Sequence, residues 1–343
     1  MWHRWLGLWL WLCISQTCGV VWRGAKPPPR VFVFGLGYVG RAVAESLVKG
    51  GWAVSGTCTS ELKASELRTM GINAFVFDDE EQGKSVSEVS EAIKSSTHIL
   101  STVPPTRVFS TAIPPYGGSL YEQSGDAVLH FYGEDILRAK PEWVGYLSST
   151  GVYGDREGGW VTELDPPKPD KPKSIARSAA EDCWRRLHSQ SGLPVHSFRL
   201  AGIYGPRRSA LDTLVKAGGN YWACAPDDIQ FISRIHVADI CRVLQASMEQ
   251  PQPGLVLNVA DDLPATRSQV LSFTCGLLGI SVGAAAEATE GAGNSVGVRG
   301  GSKRVDNSQM QELLRRAGQS LAFPTYREGI ESLIPKTKTK DSQ

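Results

Sequence analysis

Six residues hold the clearest chemistry in this chain: Gly35-Leu36-Gly37-Tyr38-Val39-Gly40. They follow the apolar run Val31-Phe32-Val33-Phe34 and precede Arg41 to Lys49, where Val43, Ala44, Leu47 and Val48 recur at helical spacing. In a strand-to-helix turn each glycine has its own task. The first permits the tight turn, the second lets the backbone approach a pyrophosphate, and the third lets helix and strand pack closely. The helix N-terminus then faces the phosphates. Because the string opens a βαβ unit, it predicts a dinucleotide site built from Gly35, Leu36, Gly37, Tyr38, Val39 and Gly40.

The end of the second strand bears on the choice of dinucleotide. An acid there holds the ribose hydroxyls of NAD. Here the chain reads Gly56-Thr57-Cys58-Thr59-Ser60-Glu61-Leu62-Lys63, with no acid at the strand end. Hydroxyls at Thr57, Thr59 and Ser60, with Lys63 nearby, favour NADP(H) over NAD(H). Two other readings stand beside this one: Ser60 caps the next helix, and Glu61 turned inward would favour NAD. Arg199, Arg207, Arg208, Lys303 and Arg304 suit phosphate or carboxylate oxygens. They point to a small anionic or nucleotide-linked substrate, although each alone also reads as a structural cation. His236 and Asp239 lie one helical turn apart. With no further ligand in view they read as a helix-start and packing pair, and no metal site is expected.

The elements that must position these residues alternate. Strands are expected at Ala53-Val54, Ala74-Phe77, His98-Val103, Val144-Ser148 and Val195-Leu200. Helices are expected at Leu62-Met70, Val86-Ile93 and Val128-Ala139. That order predicts an α/β, Rossmann-type doubly wound parallel sheet with helices on both faces. After Ile203 the pattern loosens, with helices at Val237-Met248 and Gln269-Leu278 and a strand at Leu255-Leu257. The expected organisation is a core over residues 30–204 and a smaller C-terminal lobe over 205–334 interleaved with it. A flexible insertion is expected at 283–301 and a polar tail at 335–343.

Residues 1–29 stand apart from this pattern. His3 and Arg4 precede a short apolar run, Trp5 to Ile14, in the order of a targeting segment, and a Pro-rich spacer follows. Such a segment implies an organellar or secretory route, with the cytoplasm as the alternative. The run is too short for a membrane span, which needs about 20 apolar residues. With 343 residues, 36 basic and 35 acidic, the chain carries a net charge of +1. That balance argues against a nucleic-acid partner. The seven cysteines are scattered and form no CxxC, so they read as reduced thiols rather than as a disulfide or zinc framework.

Further along, several spaced strings bear on family. They are Tyr146-Leu147-Ser148-Ser149-Thr150-Gly151-Val152-Tyr153-Gly154-Asp155, Trp160-Val161-Thr162-Glu163, Arg199-Leu200-Ala201-Gly202-Ile203-Tyr204-Gly205-Pro206, Arg234-Ile235-His236-Val237-Ala238-Asp239-Ile240, Asn258-Val259-Ala260-Asp261-Asp262, Ser302-Lys303-Arg304-Val305 and Tyr326-Arg327-Glu328-Gly329. Together they resemble the extended and atypical short-chain dehydrogenase/reductases, the NAD-dependent epimerase/dehydratase-like proteins, and within them a YeeZ-like subgroup. The resemblance covers about residues 30 to 334. It implies that Ser149 orients the substrate oxygen, that Asp78 meets the adenine edge, and that Val103 and Pro104 pass the cofactor. It also implies that Tyr153 lines the substrate pocket.

The family pattern departs at one place. Members use a tyrosine and, four residues later, a lysine on one helix face. Aligning on Ala179-Ala180-Glu181 puts Lys173 where the tyrosine belongs and Arg177 where the lysine belongs. Arg177 can still anchor ribose or phosphate oxygens, but a guanidinium does not exchange its proton near neutrality. Lys173 would do so only if buried. The expectation is therefore an NAD(P)-binding oxidoreductase or epimerase without the usual pair, in which Ser149, Arg177 and Lys173 are the candidate catalytic positions. The alternative is a non-catalytic NAD(P)-binding sensor or scaffold. A UDP-sugar 6-dehydrogenase, which shares the glycine string, is a distant third because no cysteine here sits in the required Gly-rich setting. The oligomeric state is not legible.

Overall fold

A computed structural model describes residues 28–77, 86–105, 125–216, 230–280 and 301–334. The targeting-like segment up to residue 27, Asp78, the polar tail and nearly all of the 283–301 stretch lie outside the described residues.

Strands β1 (Arg30–Phe34), β2 (Ala53–Cys58), β3 (Ile72–Val76), β4 (His98–Ser101) and β5 (Trp143–Ser149) alternate with helices α1 (Tyr38–Lys49), α2 (Glu61–Thr69), α3 (Val86–Lys94) and α4 (Ala127–Ala139). A 3-10 turn (Thr150–Tyr153), a short β6 (Trp160–Val161), helix α5 (Pro172–Ser191) and strand β7 (Val195–Leu200) follow. Beyond them come β8 (Gly202–Tyr204), α6 (Ala210–Lys216), β9 (Phe231–Ile232), β10 (Arg234–His236), α7 (Val237–Glu249), β11 (Val256–Val259), β12 (Ala265–Thr266) and α8 (Arg267–Leu277). The described chain ends with β13 (Arg304–Val305), α9 (Ser308–Arg316) and α10 (Tyr326–Glu331).

Seven strands form one sheet in the order β11-β7-β5-β4-β1-β2-β3, and every pairing in it is parallel. The apolar run of β1 explains itself here. Val31 and Val33 face a core shared with α1, α2, α7 and α9. Phe32 and Phe34 face the opposite core, under α3, α4 and α5. A strand buried on both faces needs apolar residues at every position rather than at alternate ones.

The chain reverses direction across the sheet between β1 and β4, so the crevice for a ligand opens beyond their carboxyl ends. Residues after 205 serve two purposes. Helices α7 and α9 and strand β11 complete the main sheet. Tyr204, Ala265, Val270, Tyr326 and Ile330 form a separate small core beside the crevice. No helix among the described residues is long and apolar enough to cross a membrane.

Candidate functional site

The glycine turn matches its assigned tasks atom by atom. Gly35 has φ +86°, and a Cβ there would lie 2.8 Å from Thr102 Oγ1. A Cβ on Gly40 would lie 2.2 Å from the Gly35 carbonyl oxygen, so α1 packs this closely on the strand end only without a side chain. At Gly37 a Cβ would meet nothing within 4 Å, so this is the position that faces open space. Helix α1 starts with no side-chain cap and no acid in its first turn. Its free N–H groups and positive dipole end face the same space. Those features fit a dinucleotide pyrophosphate.

Two threonines hold the turn. Thr57 Oγ1 accepts from the Gly35 N–H at 3.0 Å, and its carbonyl accepts from Leu36 N–H at 2.6 Å. Thr102 Oγ1 donates to the Gly35 carbonyl at 2.6 Å. Thr57 is buried at 1% exposure. This corrects its expected place at the 2′-position of the cofactor: it braces the turn from beneath. Leu36 is likewise a core residue. Thr59, Ser60 and Lys63 stay exposed at the end of β2. The Ser60 hydroxyl accepts from Lys63 N–H as the cap of α2. Glu61 pairs with Arg68 rather than turning to the ribose position.

The turn opens into a cavity of about 370 Å³ bordered by Gly37, Tyr38, Thr102, Ser149, Arg177 and Ala201. A second cavity of about 600 Å³ adjoins it, and Gly202, Ile203 and Arg208 line both. The second carries Arg207, Arg208, Arg234 and Arg267 against Asp212 as its acid. Asp212 is engaged by the Ser209 hydroxyl and N–H. Arg207 has φ +63°, a left-handed turn conformation uncommon outside glycine.

Ser149 ends β5 at the junction, where its Oγ accepts from Gly151 N–H at 3.1 Å. Its own proton stays available for a ligand oxygen. Arg177 reaches the cavity from α5 and donates through Nη1 to the Leu147 carbonyl at 2.8 Å. Lys173, by contrast, is exposed. The environment that would let it exchange a proton is therefore missing. Ser174, which sequence reasoning passed over, stands nearer: a Cβ on Gly151 would lie 3.1 Å from Ser174 Oγ and 3.3 Å from Ser149 Oγ. The signal for Ser174 was its position three residues before Arg177 on one helix face.

Among the described residues no tyrosine fills the vacated role. Burial raises the Tyr146, Tyr153 and Tyr204 hydroxyls above the usual range. The Tyr38 hydroxyl donates to the Pro206 carbonyl at 3.1 Å. Tyr153 and Arg199 do not line the cleft, which corrects their expected part in substrate binding. Arg199 is 2% exposed and pairs with buried Glu181 at 2.6 Å. It also donates to the Tyr153 hydroxyl at 2.9 Å, which in turn donates to Asn258 Oδ1 at 2.8 Å. Ser148 completes the network by donating to Glu181 at 2.5 Å.

Arg304 also sits elsewhere, with its guanidinium 3.6 Å from the centre of the Phe231 ring and bonded to the Gly158 carbonyl. The Lys303 ammonium is bonded to the Gly301 carbonyl. His236 caps α7 by accepting from Ala238 N–H, and the Asp239 carboxylate accepts from the N–H groups of Ala322 and Phe323. Val103 and Pro104 follow β4 and border neither cavity.

Fold and site together define a Rossmann-type protein of the short-chain dehydrogenase/reductase kind. The model of the NAD dependent epimerase/dehydratase family matches residues 134–260. The chain is 27% identical to Protein YeeZ of Escherichia coli (strain K12) over 253 residues, 73% of this chain and 84% of that one. A functionally unknown conserved protein from Silicibacter pomeroyi DSS superposes with a TM-score of 0.71 at 32% identity, covering 89% of this chain and 98% of that chain. MoeE5 in complex with UDP-glucose and NAD superposes with a TM-score of 0.66 at 23% identity, covering 89% and 97%. Residues 134–260 thus form a domain of the NAD-dependent epimerase/dehydratase type, and the chain is a homologue of YeeZ.

Proposed function

We propose that this protein is an NADP(H)-preferring oxidoreductase or epimerase acting on a small anionic or nucleotide-linked substrate. One observation carries the reading: the cavity at the glycine turn, bordered by Ser149 and Arg177, shares Gly202, Ile203 and Arg208 with an adjoining cavity that has four arginines on its walls. A nicotinamide, when bound, supplies or accepts a hydride at a carbon that bears oxygen. The chain's part is to hold that oxygen and the groups around it. The Ser149 hydroxyl donates to the substrate oxygen, with Ser174 beside it. Arg177 places a permanent positive charge next to the same point. The open cleft admits water as the proton carrier in place of the family tyrosine.

The absence of an acid at the end of β2 supports NADP(H), as do the exposed Thr59, Ser60 and Lys63 and the pairing of Glu61 with Arg68. MoeE5, which is similar in fold, was solved with UDP-glucose and NAD. That supports a nucleotide-linked substrate in the larger cavity. A UDP-sugar 6-dehydrogenase gains no support: among the described residues Cys58, Cys183, Cys241 and Cys275 all lie off the cleft.

Turnover is the test. The full chain is supplied with NADP(H) or NAD(H) and a panel of sugar nucleotides and carbonyl compounds, and absorbance at the nicotinamide band and product epimers are followed. Turnover of one panel member, reduced at least tenfold by Ser149→Ala, supports the enzyme. Cofactor binding with no turnover across the panel favours the sensor reading, to which the exposure of Lys173 already lends weight.

A further inference from the structure

Arg208 belongs to the second lobe, yet it lines the cofactor cavity beside Gly37, Tyr38 and Val39. Its guanidinium lies 5.4 Å from the centre of the Tyr38 ring, and its Nε donates to the Ile203 carbonyl at 3.2 Å. Among the described residues it has no carboxylate partner: the nearby Asp212 is taken by Ser209. The fixation is specific. Tyr38 is the first residue of α1 and is itself tied to the second lobe through Pro206. Gly205 makes room for it, since a Cβ there would lie 2.7 Å from the Tyr38 hydroxyl oxygen. An arginine side chain held in one place at the mouth of an uncapped helix start, with its Nη groups uncommitted, is built to meet an anion.

We infer that Arg208 is a clamp of the cofactor's pyrophosphate, reaching back from the substrate lobe across Tyr38 to close over the glycine turn. The inference rests on the dinucleotide reading above and adds to it a residue from outside the Rossmann core. Arg207, Arg234 and Arg267 line the larger cavity on the other side of this junction. Arg208 lies where the two cavities join. Cofactor binding therefore fixes one wall of the substrate cavity before the substrate enters.

ADP-ribose separates this role from any contact with the nicotinamide or the substrate, because it carries the pyrophosphate and neither of those groups. Its affinity for the full chain is measured by calorimetry at low and high salt, alongside the thermal midpoint of each variant. Arg208→Gln is expected to bind ADP-ribose at least about tenfold more weakly at low salt, or about 1.4 kcal/mol. The gap should narrow as salt rises, with an unchanged thermal midpoint, and Arg208→Lys should fall between. Tyr38→Ala, which removes the ring under the guanidinium, is expected to lose affinity as Arg208→Gln does. If the wild type binds ADP-ribose and Arg208→Gln binds it equally well, the clamp is wrong and the dinucleotide site stands. If the wild type binds neither ADP-ribose nor either dinucleotide, both fall together.

Discussion

Arg199 carries a full charge inside the protein, and the interior must answer it. Glu181, Tyr153 and the strand end around them do so. Removing one partner of such a pair leaves the other charged and dry, at a cost of about 3–5 kcal/mol. Glu181→Gln or Arg199→Met is therefore expected to lower stability in urea denaturation by about that amount. A loss below about 1 kcal/mol would mean that the network contributes little. The Asp261 carboxyl makes a pH prediction. It is 1% exposed, and burial pushes it up to about 8. The unfolded chain releases that proton near pH 4, about the ordinary aspartate value. The native state holds it until about pH 8, so stability is full below pH 4 and drains away as pH rises through that window. Asp261→Asn stays neutral throughout. Its thermal midpoint relative to wild type should rise steadily from pH 4.5 to pH 8, and a constant offset would contradict the burial argument. The charged residues also show where sequence reading stops. Arg199 and Tyr153 look like pocket residues because arginine and tyrosine often are. Their partners, Glu181 and Asn258, are 18 and 105 positions away, and only the folded chain brings them together.

Elements explain why the glycine turn was legible. Its demands are local: a positive φ at Gly35, a close approach at Gly40 and open space at Gly37 all fall within one strand-to-helix connection. Thr57 was not legible in the same way. Its place beneath the turn depends on the register of β2 against β1, which pairs Val33 with Gly56. Lys173 and Ser174 show the same limit along α5. Alignment gives the position, but the direction of a side chain depends on how the helix is rolled against the sheet. Two substitutions in the turn should part fold from binding. Gly40→Ala forces a Cβ into the Gly35 carbonyl and should cost about 1–3 kcal/mol in thermal or urea unfolding. Gly37→Ala meets nothing in the protein, so it should unfold as wild type does while losing dinucleotide affinity. Equal stability losses in the two variants would refute the division of tasks among the glycines.

The molecule as a whole joins a legible half to a less legible one. The parallel sheet follows from long apolar runs and helical periodicities, each of which commits a segment by itself. The second lobe is stitched from strands of two or three residues, such as β9, β10 and β12. Their pairings are set by distant partners, so short-range pattern cannot announce them. The candidate site lies where the halves meet, which is why its glycine wall was readable and its arginine wall was legible only as scattered cations. The central claim is that the crevice between them is a working dinucleotide site. A fluorescence titration of the full chain with NADPH, NADH, NADP+ and NAD+, run beside Gly37→Ala, tests it most directly. The account predicts saturable binding, tighter for the 2′-phosphorylated forms and lost in Gly37→Ala. No binding of any form at millimolar concentration would contradict it and leave the Gly35 to Gly40 turn as a structural feature alone.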